Sequence, residues 1–382
     1  MAIRKVRVGD IIRLQRTRIT PKVDVNYRPI GVYSWGKGII ENEPISGADL
    51  SKVSYYRFPG DALILSNIQA WEAAIAVSDG RHTEFISSQR FLPYVPVAKG
   101  GVDVRYLLHF FLSDPGMALI RSASPGTVTR NRTLGIKAFE DLVVPLPDLD
   151  VQRAIAYRLD RLSHTFHNAN TRSSANIMRV TALRQKIMSV TNEAPTTSAA
   201  ELFELKRRNV RVAADAEYRE IGIRSFGRGI FHKPSTSGAD IGSKRVFYVK
   251  PGDLMISNVF AWEGAVAHAD TTESGMIGSH RFMTWVPRST KDSSKYFSYY
   301  LASPSGVSQL AQASPGSAGR NRTLSITAFQ ELKLPRPSAS QQDEIVARMQ
   351  LLDKLSTLGR ERQKLAIALP QAARNEVFSK LL

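Results

Sequence analysis

Two long stretches of the chain place apolar residues at helical spacing, and each follows a segment of mixed, turn-rich pattern. In the first stretch the apolar positions run from 151 to 166 and resume from 177 to 190, with polar residues at 168–174 between them. In the second they run from 345 to 369, and Pro370 follows. Spacing of three and four residues is typical of an amphipathic helix. The pattern predicts a long helix in each stretch, with a polar interval at 168–174 in the first apolar stripe and a kink or a new start at Pro370 in the second.

The segments before these helices combine short apolar runs with turn residues. Strands are predicted at 56–58, 62–65, 73–77 and 91–95, and helices at 106–112, 116–122, 296–301 and 306–313. Asp103 is the predicted N-cap of the first of these helices, because a carboxylate accepts hydrogen bonds from the free N–H groups of a first turn. The fold class is therefore α+β, with about 145 residues in each module.

The same order of short motifs occurs twice, about 190 residues apart. Both copies contain Pro-Gly-Asp, Ser-Asn, Ala-Trp-Glu, Arg-Phe, Ser-Pro-Gly and Arg-Asn-Arg-Thr-Leu in the same order. The copies end with Pro145-Leu146-Pro147 and Pro335-Arg336-Pro337. A duplication of this length implies two similar modules related by pseudo-two-fold symmetry, which is typical of a protein whose partner also has two halves.

These patterns divide the chain into two tandem globular domains, each followed by a helical region. The domains are predicted at 1–147 and 201–337, the helical regions at 148–191 and 338–382, and a linker at 192–200. The linker is inferred from its composition. The apolar stripes are too long for helices on a domain surface, which favours antiparallel packing on each other as a coiled-coil spacer. The alternative is an ordinary helical bundle that dimerises.

The charge of the chain indicates a polyanionic partner. Its 382 residues include 52 Lys and Arg against 34 Asp and Glu, a formal net charge of +18. Such an excess favours nucleic acid through counterion release, although a basic protein of ribosomal type or a merely soluble one is the alternative. The lack of cysteine fits a reducing cytosol. The sequence has no signal-peptide pattern at its start and no apolar run of about 18 residues, so we expect a cytoplasmic protein without a membrane partner.

Two elements near the start of each repeat are candidates for DNA contacts. Arg16 and Arg207 lie in basic runs at equivalent places, which favours phosphate contacts over an ordinary solvated face. The second element is Ser-aromatic-Gly-cation-Gly, at 34–38 and again at 225–229. Its glycines allow close approach to a backbone or groove. The candidate contacts in this element are Ser34, Lys37, Ser225 and Arg228.

The most suggestive motif is Ser-Pro-Gly-x-x-x-Arg-Asn-Arg-Thr-Leu. Its arginines are Arg130 and Arg132 in the first copy and Arg320 and Arg322 in the second. A guanidinium group binds phosphate with two parallel hydrogen bonds and reads O6 and N7 of guanine in the major groove. The alternative is an internal ion pair with an acid such as Glu140 or Glu331. We expect at least one arginine of each copy to contact DNA.

Three further pairs of positions carry predictions. Trp71 and Trp262 are predicted to be core anchors, and the neighbouring asparagines are candidates for DNA contacts or turn formation. One slot differs between the copies, because glutamine in the first is histidine in the second, each followed by Arg-Phe. A difference in an otherwise matched slot predicts that the two modules read different bases. The candidate DNA contacts at these positions are Asn67, Gln89, Arg90, Asn258, His280 and Arg281.

Signals of catalysis are weak. Asp61 with Glu72, and Asp253 with Glu263, lack the third carboxylate and the Glu/Gln-x-Lys element of a metal nuclease. The chain also lacks the Asn/Asp-Pro-Pro-aromatic tetrapeptide of base methyltransferases. We therefore expect a DNA reader without catalytic residues, metal or cofactor. The sequence also allows an autonomous DNA-cleaving or modifying enzyme and a stand-alone bipartite DNA-binding protein.

The chain resembles the specificity (S) subunit of type I restriction–modification systems. The most specific piece is Phe139 to Pro147 followed by Gln152 to Ala156, which is similar to that family's phenylalanine, hydrophobic strand, Pro-Leu-Pro and Gln-x-x-Ile-Ala helix start. The second copy repeats it from Phe329 to Ala347. The Gly-Asp, Ser-Asn, Ala-Trp-Glu and Arg-Phe elements are similar to one class of the family's target recognition domains. The resemblance covers essentially the whole chain.

This resemblance implies a role for each part of the chain. Each domain would be a target recognition domain for one half of a split DNA sequence. A helix of roughly 30 to 40 residues has the length of about 13 to 18 base pairs of B-DNA. The helices would fix the gap between the halves and would dock two methyltransferase (M) subunits. Those subunits would bind S-adenosylmethionine and methylate adenine, and a restriction (R) subunit would complete the complex. Two departures are the close likeness of the two domains and Pro370 in the second spacer helix.

Overall fold

The chain forms two compact units in a computed structural model that describes residues 3–98, 100–126, 132–316 and 322–382. Unit 1 comprises the residues up to 173 together with 361–382, and unit 2 comprises 174–360. The C-terminal helix therefore contributes its last turns to the unit that contains the N-terminal domain.

The α-helices among the described residues are α1 (Val8–Ile11), α2 (Val104–Phe111), α3 (Asp114–Ser122), α4 (Ile136–Glu140), α5 (Leu149–Val190), α6 (Ala199–Leu202), α7 (Gly238–Ile241), α8 (Ser294–Leu301), α9 (Pro304–Gln312), α10 (Ile326–Glu331) and α11 (Ala339–Ser379). The strands of unit 1 are β1 (Arg4–Arg7), β2 (Ile12–Leu14), β3 (Thr17–Ile19), β4 (Asn26–Tyr27), β5 (Ile30–Val32), β6 (Ile39–Glu41), β7 (Ile45–Ser46), β8 (Tyr55–Arg57), β9 (Leu63–Ser66), β10 (Ile75–Val77), β11 (Ile86–Ser88), β12 (Phe91–Pro96) and β13 (Val143–Leu146). Those of unit 2 are β14 (Thr196–Ser198), β15 (Phe203–Leu205), β16 (Glu217–Ile223), β17 (Ile230–Ser237), β18 (Val246–Tyr248), β19 (Leu254–Ser257), β20 (Val266–His268), β21 (Ile277–Ser279), β22 (Phe282–Pro287) and β23 (Lys333–Pro335).

A four-stranded antiparallel sheet organises the core of unit 1. Its strand order is β10-β9-β12-β2, and all four residues of β9 are buried, as expected of a continuous apolar run in a central strand. Tyr94 of β12 lies 5.0 Å from Phe139 of α4, and Phe111 of α2 lies 5.3 Å from the same ring, measured between ring centroids. The predicted strands and helices of this domain are confirmed, and so is Asp103 as the N-cap of α2, where it accepts from Arg105 N.

Unit 2 repeats this arrangement. Its sheet has the order β15-β22-β19-β20, and the Trp285 and Phe329 rings pack at 4.5 Å in the core. The pair β14–β23 occupies the place that β1–β13 holds in unit 1. The segment predicted as a linker thus contains strand β14. The backbone of β14 forms hydrogen bonds with β23, the last strand of the module. The α+β class and the two tandem modules are confirmed.

A buried glutamine explains the motif at the start of each long helix. The Oε1 of Gln152 accepts from Asp103 N at 3.0 Å, and its Nε2 donates to Pro147 O at 2.8 Å. In unit 2, Gln342 makes the same pair of bonds, with Ser293 N at 2.8 Å and Pro337 O at 2.9 Å. One side chain therefore joins the long helix to the capped start of the helix beside it.

Replacing Gln152 by alanine is expected to lower the free energy of unfolding of unit 1 by about 2 kcal/mol, because two enclosed backbone groups lose their partners. Hydrogen exchange resolved by peptide would report the loss in unit 1 alone. Arg153→Ala, at an exposed neighbouring position, is the control and should change stability by less than about 0.5 kcal/mol. An equal effect of both substitutions would contradict the assignment.

Both long helices continue through the positions where the apolar pattern is interrupted. Helix α5 is continuous across 168–174, where the Thr171 hydroxyl donates to His167 O within the helix. Helix α11 contains Pro370 without a new start, since loss of one N–H leaves the rest of its hydrogen bonds in place. The long helix predicted in each stretch is therefore confirmed, and the new start that was one of the two alternatives at Pro370 does not occur. A coiled-coil spacer stays a prediction.

The two helices contact each other in opposite directions within unit 2. Arg184 of α5 forms an ion pair with Asp353 of α11. Nearer the start of α5, the Ile177 side chain lies beside Gly359 of α11. A Cβ added to Gly359 would be 3.1 Å from it. The contacting residue numbers rise along α5 as they fall along α11, so the two helices are antiparallel here. The Asp353 carboxylate also accepts from Tyr299 of α8 at 2.6 Å, which ties the helix pair to the domain.

The end of α11 is tied to unit 1 by a largely buried polar cluster. His109 of α2 donates through Nε2 to Asp160 of α5 at 2.8 Å and accepts at Nδ1 from Arg374 Nε at 3.2 Å. Burial lowers the pKa of His109, which favours the neutral ring that this pattern requires. Arg374 also donates to Ser163 at 3.2 Å. The cluster therefore joins α2, α5 and α11 in one network.

Candidate nucleic-acid interface

The Ser-aromatic-Gly turn of unit 1 forms hydrogen bonds with the end of the short 3-10 helix at Ala70–Glu72. Trp35 N donates to Glu72 O and Gly36 N to Ala73 O, both at 2.8 Å. Gly36 has a φ of +62°, and a Cβ there would lie 2.9 Å from Leu112. A larger residue would therefore have both a strained backbone and a steric conflict.

Unit 2 builds the same turn. Phe226 N donates to Glu263 O at 2.8 Å, Gly227 N donates to Gly264 O at 3.0 Å, and the Ser225 hydroxyl donates to the Glu263 carboxylate at 2.7 Å. In unit 1 the Ser34 hydroxyl faces Glu72 in the same way at 3.4 Å. Both predicted serines thus stabilise the turn from within.

Each turn presents an exposed aromatic ring with a cation over it. Trp35 is 71% exposed and Phe226 is 69% exposed, and both have positive φ. The predicted cations lie over these rings, Lys37 at 5.1 Å and Arg228 at 5.7 Å from the centroid. Non-glycine residues at positive φ are strained, and such strain concentrates at functional sites. An exposed, cationic edge therefore occurs at the same place in both units.

Asn67 joins the predicted loops of unit 1. Its N–H donates to Arg90 O at 2.8 Å, and its carbonyl accepts from Leu134 N at 2.6 Å. The end of β9, the turn between β11 and β12 and the segment after the arginine motif are therefore side by side. We call these three segments, 66–72, 88–91 and 132–134, the loop cluster of unit 1.

The corresponding loop cluster of unit 2 is formed by 257–263, 279–282 and 322–324. Asn258 N donates to Arg281 O at 2.9 Å, and its carbonyl accepts from Leu324 N at 2.8 Å. In both asparagines the side-chain Oδ1 is buried and has no hydrogen-bond partner among the described residues. Their backbone bonds give them the turn-forming role that was one of the two predicted alternatives.

The differing slot lies at the exposed tip of each loop cluster. Gln89 and Arg90 are exposed in the turn between β11 and β12, and His280 and Arg281 are exposed in the turn between β21 and β22. Arg16 supports the first of these turns, since its Nη2 donates to Gln89 O at 2.8 Å. The site therefore brings the differing residues of the two copies to solvent.

The basic residues at the start of each repeat have different surroundings. Arg16 is half-buried and lies 5.2 Å from the Tyr56 ring centroid, so much of its guanidinium is engaged within the domain. Arg207, at the equivalent place in unit 2, is exposed and lies 5.8 Å from the centroid of Phe247.

The two tryptophans predicted as core anchors are half-buried and carry arginines. Arg132 lies over Trp71 and Arg322 over Trp262, each at 5.4 Å from the ring centroid. The core prediction was therefore wrong, because the large apolar ring serves as a platform for a cation. The partner arginines at 130 and 320 lie outside the described residues.

Two acids named as candidates from the sequence have internal partners. Glu140, the predicted alternative partner of the arginine motif, accepts from the Tyr94 hydroxyl at 3.4 Å. Asp253 forms an ion pair with Arg208. No group of three or more potential metal ligands occurs in the described parts of the chain. In unit 1 a cavity of about 460 Å³ beside the cluster is lined by Trp35, Trp71, Arg121 and Arg132, among others.

Sequence reasoning missed the pairing of tryptophan with arginine. Both partners occur in both copies at equivalent positions, so the signal was present in the repeat. The hydrogen bonds of Asn67 and Asn258 bring the partners together. These bonds use backbone atoms, so the residue types do not reveal them.

Comparisons with known proteins show the family and the fold of the chain. The model of the type I restriction modification DNA specificity domain matches residues 3–177 and again 196–367. The HsdS subunit from Thermoanaerobacter tengcongensis is similar over 100% of this chain and 97% of its own, with 17% identity and a TM-score of 0.57. The S subunit from M. genitalium is similar over 99% and 96%, with 13% identity and a TM-score of 0.54.

A third structure, described as the basis of complex assembly and conformational transition of the type I R-M system, has a TM-score of 0.63 and 16% identity over 98% of this chain and 97% of its own. At these identities the structural likeness shows the fold. No curated protein sequence matches the chain. Among the described residues, none of the helices is long and apolar enough to span a membrane. With two matched specificity domains that cover most of its length, the chain belongs to the type I restriction–modification DNA specificity family and is a DNA-recognition specificity subunit.

Proposed function

We propose that each unit reads one half of a bipartite DNA target through its loop cluster. The observation that carries this proposal is the repeated cluster whose exposed tip differs in one residue, Gln89 in unit 1 and His280 in unit 2. Glutamine pairs with the N6 and N7 edge of adenine, whereas the imidazole of histidine offers a different donor and acceptor pattern. The two loop clusters have the same hydrogen-bonded arrangement and different exposed residues, which is what recognition of two half-sites of different sequence requires.

The basic residues around each tip supply the sequence-independent part of binding. Arg90 and Arg281 are exposed beside the differing slot, and the chain carries a net charge of +18. Contacts with phosphates set the register of a protein on DNA, and base contacts then give specificity. We assign Arg130 and Arg320 to the same interface because they belong to the repeated Arg-Asn-Arg-Thr-Leu motif.

The remaining roles belong to partners. We propose that α5 and α11 act as the spacer and dock two methyltransferase subunits, which bind S-adenosylmethionine and modify the DNA in the cytoplasm. A restriction subunit would add cleavage. In this proposal the chain itself contributes recognition and no catalytic group.

The test is methylome sequencing of a host with and without this gene. We expect an adenine mark at a split motif to disappear when the gene is removed, because the methyltransferase then lacks its guide to the target. The motif would reveal both half-sites and their spacing. An unchanged methylome would contradict the proposal.

A Gln89→His variant in the same assay tests the assignment of halves. We expect one half-site to change, with discrimination altered by about 1–3 kcal/mol at the base concerned, and the other half-site to stay the same. His280→Gln is the matched variant and should alter the opposite half. Changes in both halves, or in neither, would overturn the assignment of one reader to each unit.

A further inference from the structure

We propose that Trp71 and Trp262 are positioning residues for DNA binding, each of which holds an arginine, Arg132 or Arg322, as an anchor for a DNA phosphate. The inference rests on the proposed function and adds to it a residue pair in each unit that binds without reading sequence.

The arginines are held in the same way in both units. Arg132 lies over the Trp71 ring, and its Nε donates to Gly126 O at 3.0 Å. Arg322 lies over the Trp262 ring, and its Nε donates to Gly316 O at 3.2 Å. The described residues offer the two Nη groups of either side chain no hydrogen-bond partner. Within the described ranges, the part of each guanidinium without a hydrogen-bond partner is therefore its pair of Nη donors.

The tryptophans are themselves fixed. Trp71 Nε1 donates to Ile68 O at 2.9 Å, and Trp262 Nε1 donates to Val259 O at 3.1 Å. Their polar group is thus satisfied, and the face of the indole remains available to the cation. Trp is the strongest ring for a cation–π contact, and a preset guanidinium loses less side-chain entropy on binding.

The duplication indicates phosphate as the ligand. Arginine, tryptophan and both hydrogen bonds are the same in the two units, whereas the tip residue differs. A contact kept identical in two modules cannot distinguish their half-sites, so it suits the part of DNA that is the same everywhere. Two parallel Nη donors also match the geometry of phosphate oxygens.

The experiment measures binding of the full chain to a labelled random-sequence DNA duplex over a series of salt concentrations. Arg132→Ala should weaken binding by about tenfold and reduce the salt slope by about 1, as expected for one lost phosphate contact. Trp71→Leu should reproduce most of that loss and most of the change in slope. The double variant should bind no more weakly than Arg132→Ala, because the ring acts through the arginine.

Trp71→Phe is the control that separates positioning from stability, because it keeps an aromatic face and should retain most of the affinity. Trp262→Leu repeats the test in the other unit. If Trp71→Leu leaves the salt slope unchanged, or if its effect adds fully to that of Arg132→Ala, the positioning role is wrong. If the wild-type chain binds no duplex, the proposed function fails and the inference fails with it.

Discussion

Replacing Phe378 by alanine is expected to lower the free energy of unfolding of unit 1 by about 3–5 kcal/mol. Phe378 is 0% exposed although it lies near the end of α11. Its ring packs against Tyr106 at 5.5 Å and Phe110 at 5.4 Å, both in α2. Truncation would leave a cavity between α11 and the helix that supports the sheet of unit 1.

The expected loss is large because the end of α11 is part of the unit 1 core. Asn375 and Asp114 exchange two hydrogen bonds, Nδ2 to Oδ2 at 2.6 Å and Asp114 N to Oδ1 at 2.8 Å. These bonds lie about one turn before Phe378 on the same helix. We therefore expect α11 beyond residue 361 to detach more readily from unit 1 in the variant.

Hydrogen exchange resolved by peptide would measure this prediction, since it reports each unit separately. Protection should fall in α2 and in the last turns of α11, while β19 and β22 of unit 2 keep theirs. The control is Leu382→Ala, where the side chain is 59% exposed and a change within about 0.5 kcal/mol is expected. Equal effects of the two substitutions would contradict the packing of this helix end.

The local elements of each domain were predictable from the sequence. Runs such as 62–65 are short, wholly apolar and bounded by turn residues, and such runs form buried central strands. Asp103 stands before an apolar-periodic segment, which is the usual position of an N-cap. Where local pattern and tertiary burial agree, the prediction succeeded.

The assignment of helix ends to units was not predictable from the same pattern. Periodicity shows that one face of α11 is apolar, but it does not identify what covers that face. Residues 361–382 were predicted as part of the second module's spacer, and they complete the core of unit 1. For a similar reason Trp71 was misassigned, since a large aromatic residue is compatible with a core and with a cation platform.

The repeated Pro-Gly-Asp motif shows how one sequence has two environments. Asp61 is exposed in unit 1, with a φ of +51°. Asp253 is 2% exposed in unit 2 and forms two bonds with Arg208, Nη1 to Oδ2 at 2.7 Å and Nη2 to Oδ1 at 3.0 Å. The second copy differs because an arginine lies where the first copy has Thr17.

Arg208→Ala is therefore expected to lower the free energy of unfolding of unit 2 by about 3 kcal/mol, because the buried Asp253 carboxylate loses its compensating charge. Urea unfolding followed by peptide-resolved hydrogen exchange would measure it. Adding Asp253→Asn should restore more than about 1 kcal/mol, since a neutral amide costs less to bury than an unpaired carboxylate. Asp61→Asn is the matched control and should leave unit 1 unchanged, because asparagine tolerates positive φ as aspartate does. A double variant no more stable than Arg208→Ala would mean that the arginine stabilises unit 2 through packing and not through charge.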